Sequence, residues 1–183
     1  MSDPAQPASV YDLAHAVQAE SRATFAVLVD NEPGVLHRVV GLFAARGYNI
    51  DTLTVAETDG ASHTSRITIV TRGTLQVLSQ IEAQLQKMVS TRHVQDVTKD
   101  PNGLERELAL IKVRGSGVER VEALRVADIF RAKVVDTTHE SFVFEVTGVP
   151  GKIDKFVDLM RGLGLVEVSR TGVLSLQRGV EVF

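Results

Sequence analysis

A chain of 183 residues, 44% hydrophobic and 23% charged, has ordinary globular usage and room for one or two small domains. Its formal net charge is −3, with Lys and Arg dispersed among Asp and Glu, which argues against nucleic acid or an anionic membrane surface as the main partner. There is no cysteine, which removes disulfides, thiolate catalysis and Cys-based metal sites, and no apolar run approaches the roughly 18 residues of a membrane helix. Residues 1–9 are polar, with Asp3 and two prolines, and do not read as a secretory signal, so a cytoplasmic protein is expected.

Residues 1–22 read as a flexible N-terminal tail, in which Val10, Tyr11, Leu13 and Val17 are spaced for a turn or two of poorly capped amphipathic helix. A strand is expected over 24–29, with Phe25, Val27 and Val29 on one face and Thr24, Ala26 and Leu28 on the other. A helix follows over 33–46, carrying Leu36, Val39, Val40 and Phe43 at helical spacing, with Pro33 at its first position and Gly47 as its C-terminal cap. Strands over 50–57 and 65–71 flank the turn cluster Thr58-Asp59-Gly60-Ala61-Ser62. Thr74 opens a second helix with Leu78, Ile81, Leu85 and Met88, and a strand over 94–97 completes β-α-β-β-α-β.

The polar run Lys99-Asp100-Pro101-Asn102-Gly103 marks a linker, set at 99–104, and beyond it the pattern repeats. A strand is expected over 107–113, a helix over 118–130 carrying Val121, Leu124 and Ala127, and a hairpin of strands over 133–137 and 142–147. A helix over 152–161 has Ile153, Phe156, Val157 and Met160 on one face, and a strand spans 165–169. The segment 172–176 either prolongs that strand or pairs elsewhere. Periodicity alone thus gives an α+β chain of two tandem ferredoxin-like βαββαβ units, over 23–98 and 105–183. Each is small enough that pairing, between units or between chains, should cover part of what it exposes.

The stretch between the first strand and first helix is the one that invites chemistry. Pro33 suits a helix start, Gly34 keeps the turn bare, and the unpaired N–H groups and positive dipole end of such a helix suit a carboxylate. Asn31 adds an amide that donates and accepts. An ordinary strand–turn–helix connection is the plainer reading of the same residues.

No catalytic group stands beside it. The five histidines, His15, His37, His63, His93 and His139, fall in different elements without metal-ligand spacing, and no serine sits in a nucleophile elbow. Gly115-Ser116-Gly117 opens a helix, but Arg120 stands where a dinucleotide fingerprint needs its third glycine. Gly148-Val149-Pro150-Gly151-Lys152 is too short for a phosphate loop, and Ile153 replaces the hydroxyl. Aromatics are 5% of the chain, with Phe25 alone on the first unit's strands, which argues against an RNA-stacking sheet.

Asn31-Glu32-Pro33-Gly34-Val35-Leu36, followed by Gly41-Leu42-Phe43 and Arg46-Gly47-Tyr48-Asn49-Ile50, resembles the start of an ACT domain. Continued through Thr52-Leu53-Thr54-Val55-Ala56, Arg106-Glu107-Leu108-Ala109-Leu110-Ile111-Lys112-Val113, Ile129-Phe130-Arg131-Ala132 and Arg170-Thr171-Gly172-Val173, it is similar to the small, regulatory subunits of acetolactate synthase over roughly residues 23–180.

The resemblance implies a chain without catalysis of its own that binds the catalytic subunit, raises its activity and confers feedback inhibition by valine in branched-chain amino acid biosynthesis. Thiamine diphosphate, magnesium and FAD would belong to the catalytic subunit. The first unit would be an ACT domain that pairs with a second copy. One chain would supply Asn31 and the backbone of Gly34, Val35 and Leu36 to the effector, and the other Asn49, Ile50, Thr54 and Ala56, with Gln80 closing the pocket. Asp30 and Glu32 would either assist the ammonium or face solvent. Rival readings are an ACT-type amino-acid sensor for a different enzyme, which the second half argues against, and an acylphosphatase-like enzyme, for which the loop after Val29 lacks an arginine.

Overall fold

A computed structural model describes residues 19–59 and 62–180. Most of the expected tail, with Val10, Tyr11, Leu13 and Val17, and the turn residues Gly60 and Ala61 lie outside the described residues. Apart from Thr52–Thr54, which group with the second, the chain divides between Asp100 and Pro101 into two compact units.

The first unit runs β1 (Ser21–Asp30), α1 (Val35–Arg46), β2 (Thr52–Asp59), β3 (Thr64–Gly73), α2 (Leu75–Gln86) and β4 (Thr91–Asp96), with a 3-10 turn at Val97–Lys99. Its sheet has the order β2-β3-β1-β4, so β1 is central and β2 and β4 are edges. β1 pairs antiparallel with β3 from Ser21↔Gly73 to Asp30↔Thr64 and is longer at both ends than its apolar run predicts. Both of its faces are buried. Phe25, Val27 and Val29 pack with Val39, Phe43, Ile67, Ile69 and Ile81 in the core, while Thr24 and Ala26 on the other face are also shielded from solvent.

α1 starts two residues later than Pro33 suggests, and the reason is local. Gly34 has φ 85° and ψ −1°, and the Val35 N–H bonds the Glu32 carbonyl at 3.2 Å. Glu32-Pro33-Gly34-Val35 is therefore a type II turn, with proline and glycine at its second and third positions. Val35, Val39 and Phe43 then face the core at i, i+4 and i+8. Gly47 closes the helix in the left-handed region, its N–H bonding the Ala44 carbonyl and that of Tyr48 the Phe43 carbonyl, as in a Schellman motif. α2 is capped by the Thr74 hydroxyl, which accepts from the Val77 N–H, and buries Leu78, Ile81 and Leu85, whereas Met88 falls beyond its end.

The second unit runs β5 (Gly103–Arg114), α3 (Gly117–Ile129), β6 (Lys133–Thr137), β7 (Ser141–Gly148), α4 (Pro150–Arg161), β8 (Leu165–Arg170) and β9 (Leu174–Gln177). The order β6-β7-β5-β8 repeats that of the first sheet. β5 begins at Gly103, inside the expected linker, because its first residues have a partner of their own. Gly103–Arg106 pair with β9, while Glu107–Arg114 pair with β7. The core joins Ile111, Phe142, Phe144, Ile153, Phe156 and Met160, with the Phe144 and Phe156 rings edge to face at 6.1 Å.

α3 departs from expectation. Ala123 and Ala127 are its buried residues, while Val121 and Leu124, expected on the core face with Ala127, turn outward. Small side chains let the helix lie close to the sheet, and Arg120 fixes its rotation. The Arg120 guanidinium stacks 3.9 Å from the Phe142 ring centroid and donates to the Thr137 hydroxyl and the His139 carbonyl.

Candidate functional site

The turn at Glu32–Val35 points a bare helix start at solvent. The Val35 N–H is used by Glu32 and the Arg38 N–H by Gly34, so among the described residues Gly34, Leu36 and His37 keep unpaired backbone N–H groups. The Val35 side chain is in the core. A Cβ built on Gly34 meets nothing within 4 Å. The open space and the three donors suit a small anion at the positive end of α1.

Asn31 lies at the lip of this turn, exposed, with its N–H bonded to the His63 carbonyl at 2.8 Å. His63, at the β2–β3 hairpin, has φ 48°, a contact that one-dimensional periodicity does not reveal. The two carboxylates beside Asn31 are occupied. Asp30 pairs with Arg92 at 2.6 Å and Glu32 with Arg38 at 3.3 Å, so both are already engaged by guanidinium groups.

Asn49, Ile50 and Gln80 lie at the other end of the sheet. The Asn49 side-chain NH2 donates to Asp51 at 2.8 Å, which leaves its amide oxygen free to accept. Asp51 is in turn held by Arg72 at 2.8 Å, and the Asn49 carbonyl accepts the Thr71 hydroxyl at 2.6 Å. Ile50 is half-buried beside it. Gln80, on the exposed side of α2, meets the Tyr48 hydroxyl at 3.5 Å, and Tyr48 packs edge to face on Phe43. Thr54 and Ala56 stand two apart on the edge strand β2.

Asn31 and Asn49 are not brought together within one chain. β1 ends opposite Thr64, Asn49 is tied to Thr71, and the strand between those two residues spans on the order of 20 Å. A cleft of about 310 Å³ lined by Arg38, Leu42, Arg46, Met88, Val89 and Ser90 contains none of the nominated residues. Among the described residues, no group of three His, Asp or Glu side chains is placed to hold a metal ion, and no helix is long and apolar enough to cross a membrane.

Comparison with known proteins bears on both units. The family described as AHAS small subunit-like ACT domain matches residues 25–93, and that described as small subunit of acetolactate synthase matches 106–179. A probable acetolactate synthase small subunit of Archaeoglobus fulgidus is 46% identical over 156 residues, covering 85% of this chain and 96% of the relative. The acetolactate synthase isozyme 3 small subunit of Escherichia coli is 43% identical over 162 residues, covering 88% of this chain and 98% of its own length. The crystal structure of the acetolactate synthase small subunit from Thermotoga maritima superposes with a TM-score of 0.76 at 35% identity, over 88% of this chain and 99% of that one. Two tandem ferredoxin-like units, the first of them an ACT domain, and likeness running through both halves place the chain in the acetolactate synthase small-subunit family.

Proposed function

We propose that this chain is a regulatory subunit that binds the thiamine-diphosphate-dependent catalytic subunit of acetolactate synthase (EC 2.2.1.6) in the cytoplasm, raises its activity and makes it sensitive to valine. It performs no turnover itself, and thiamine diphosphate, magnesium and FAD are bound by the catalytic subunit. The observation that carries the effector site is the bare start of α1, where Gly34, Leu36 and His37 offer unpaired N–H groups beside Asn31. These receive the valine carboxylate. The Asn49 amide oxygen, freed by the bond from its NH2 to Asp51, receives the ammonium. Ile50, Thr54, Ala56 and Gln80 wall the side chain.

Because Asn31 and Asn49 sit at opposite ends of one sheet, the complete site takes two copies of the first unit, paired through their edge strands. That pairing also covers the unpaired edge of β2. Valine acts by favouring one arrangement of the pair over the one that supports the catalytic subunit, a coupling of about 1–3 kcal/mol.

The test is co-purification with the catalytic subunit, then acetolactate formation with and without valine. The expected result is a complex more active than the catalytic subunit alone and inhibited by valine. A stable complex whose rate valine leaves unchanged would remove valine as the effector, and acetolactate formation by the purified chain alone would overturn the regulatory reading.

A further inference from the structure

The run Asp100-Pro101-Asn102-Gly103 leads the chain into β5, and Pro101 and Asn102 are exposed in the turn that it makes. An asparagine followed by glycine sets an electrophile and a nucleophile one residue apart. The side-chain carbonyl carbon of the first and the backbone nitrogen of the second can close a five-membered ring. Glycine has no Cβ to crowd the attacking nitrogen.

The pairing of β5 leaves that nitrogen available. The Arg178 N–H bonds the Asn102 carbonyl at 2.9 Å, and Gly103 stands opposite Gln177. In an antiparallel ladder such a bond brackets a pair that exchanges no hydrogen bonds of its own, so the Gly103 N–H points away from β9. Its other side faces no strand among the described residues, because β7 joins β5 only from Glu107 and β8 only from Ala109. The other two asparagines of the chain differ. After Asn31, the nitrogen of Glu32 donates to the Asp30 carbonyl at 2.9 Å. The Asn49 NH2 is held by Asp51 at 2.8 Å, and the next nitrogen belongs to the β-branched Ile50.

We infer that Asn102 is a modification site at which the chain deamidates without an enzyme, with water as the co-reactant. The Gly103 nitrogen bonds Cγ of Asn102, and its proton leaves with the side-chain amide as ammonia, closing a succinimide. Water then opens the ring at one of its two carbonyls. Opening at Cγ gives aspartate in an unchanged backbone. Opening at the other carbonyl gives isoaspartate, in which the chain runs through Cβ and the carbonyl that held Arg178 becomes a free carboxylate. Both products add one negative charge, and no step is a redox step. The isoaspartate product also lengthens the backbone by an atom and removes the bond that opens the β5–β9 pairing. Nothing in this depends on the effector reading.

The test is to age the full-length chain at neutral and at mildly alkaline pH and to follow all three asparagines by peptide mass mapping. Amide-to-acid exchange at Asn102 is expected about tenfold or more faster than at Asn31 or Asn49. It should quicken at the higher pH, because the attacking nitrogen must lose its proton. Two products of equal mass should appear, aspartate and isoaspartate. Hydrogen exchange at the Arg178 N–H should speed up in the aged chain but not in Asn102→Asp, which carries the charge on an ordinary backbone. Asn102→Gln, which cannot close a five-membered ring, should stay unmodified over the same time. Asn102 lasting as long as Asn31 and Asn49 would overturn the proposal, as would modification seen only in urea-unfolded chain. Aspartate as the single product would rule out the ring and overturn it too.

Discussion

Both carboxylate oxygens of Glu107 are held by one guanidinium, that of Arg170, at 2.7 and 2.6 Å, and the Glu107 side chain is 1% exposed. Glu107 occupies the core end of the inward row that continues as Ala109, Ile111 and Val113, and Arg170 closes β8 beside it, with its remaining arm on Asp154 of α4 at 2.7 Å. One ion pair thus ties β5, β8 and α4. Arg170→Ala would leave a buried carboxylate unpaired and should cost about 3–5 kcal/mol, whereas the double change Glu107→Leu with Arg170→Met should recover most of that loss. Urea unfolding of the two variants decides it: equal destabilisation would mean the pair is not what holds this corner.

Gly34→Asp should yield a folded, activating subunit that valine no longer inhibits. The added side chain enters open space, and aspartate tolerates the left-handed backbone better than most residues, so the cost in stability is small. Its carboxylate would occupy the N–H groups proposed for the effector. Losing one hydrogen bond to a charged group is worth about 1.5–3 kcal/mol, or roughly 10- to 150-fold in valine affinity. Asn31→Ala should act in the same direction more mildly. An unmoved inhibition curve for Gly34→Asp in an activating complex would place the effector elsewhere.

Gly164→Ala should destabilise the second unit severely. Gly164 has φ 90°, its carbonyl accepts the Arg114 N–H at 2.8 Å, and a Cβ there would overlap the Arg114 carbonyl oxygen. Backbone cannot move aside as a side-chain tip can, so a loss of about 3 kcal/mol or more is expected. Gly179, at φ 95° with nothing within 4 Å of its Cβ position, is the control, and Gly179→Ala should cost about 1 kcal/mol. Similar melting shifts for the two would contradict this.

Lys99 should make the chain lose stability at alkaline pH. Its ammonium lies 3.0 Å from Asp96, whose side chain is almost fully buried and also accepts from the Thr98 N–H and hydroxyl. The hydrogen bond to Asp96 raises the Lys99 pKa above its ordinary 10.5, helped by Glu82 and opposed by modest burial. A raised folded pKa means that the stabilisation is fully present below about 10.5 and is lost as pH climbs through the higher folded value. The gap in unfolding free energy between wild type and Lys99→Gln should be smaller at about pH 11.5 than at about pH 9. Parallel curves would show that Lys99 contributes nothing there.

The fold was largely legible because hydrophobic period reports which face a residue takes. Phe25, Val27 and Val29, the Ile153–Met160 face of α4, and the caps at Thr74 and Gly47 all follow from spacing and turn chemistry. Spacing failed where a tertiary contact chose between two apolar faces of one helix. α3 offers either Val118, Val121 and Leu124 or Ala123 and Ala127, and only the Arg120–Phe142 stack shows which side turns in. The start of α1 was misplaced by two residues because Pro-Gly fits both a helix start and a type II turn, and the Val35–Glu32 hydrogen bond selects the turn. For the candidate site, the helix start and Asn31 could be argued from sequence chemistry. The hold of His63 on Asn31, and that of Asp51 on the Asn49 amide, depend on contacts that no local pattern encodes.

The double use of β5 has a consequence for the order in which the protein is made. Every strand of the first sheet has been synthesised once Asp96 is added, so the half bearing the proposed effector turn can close early. The second half opens with Gly103–Arg106, whose partner β9 is translated only at residues 174–177. At about 5–20 residues per second, those first residues wait roughly 4–14 s with their backbone groups unpaired while the intervening elements emerge. The slow step of biogenesis should therefore lie in the second unit, and its vulnerable point is the β5 segment just after the junction, which is where a chaperone or protease acting on nascent chains would find the most accessible backbone.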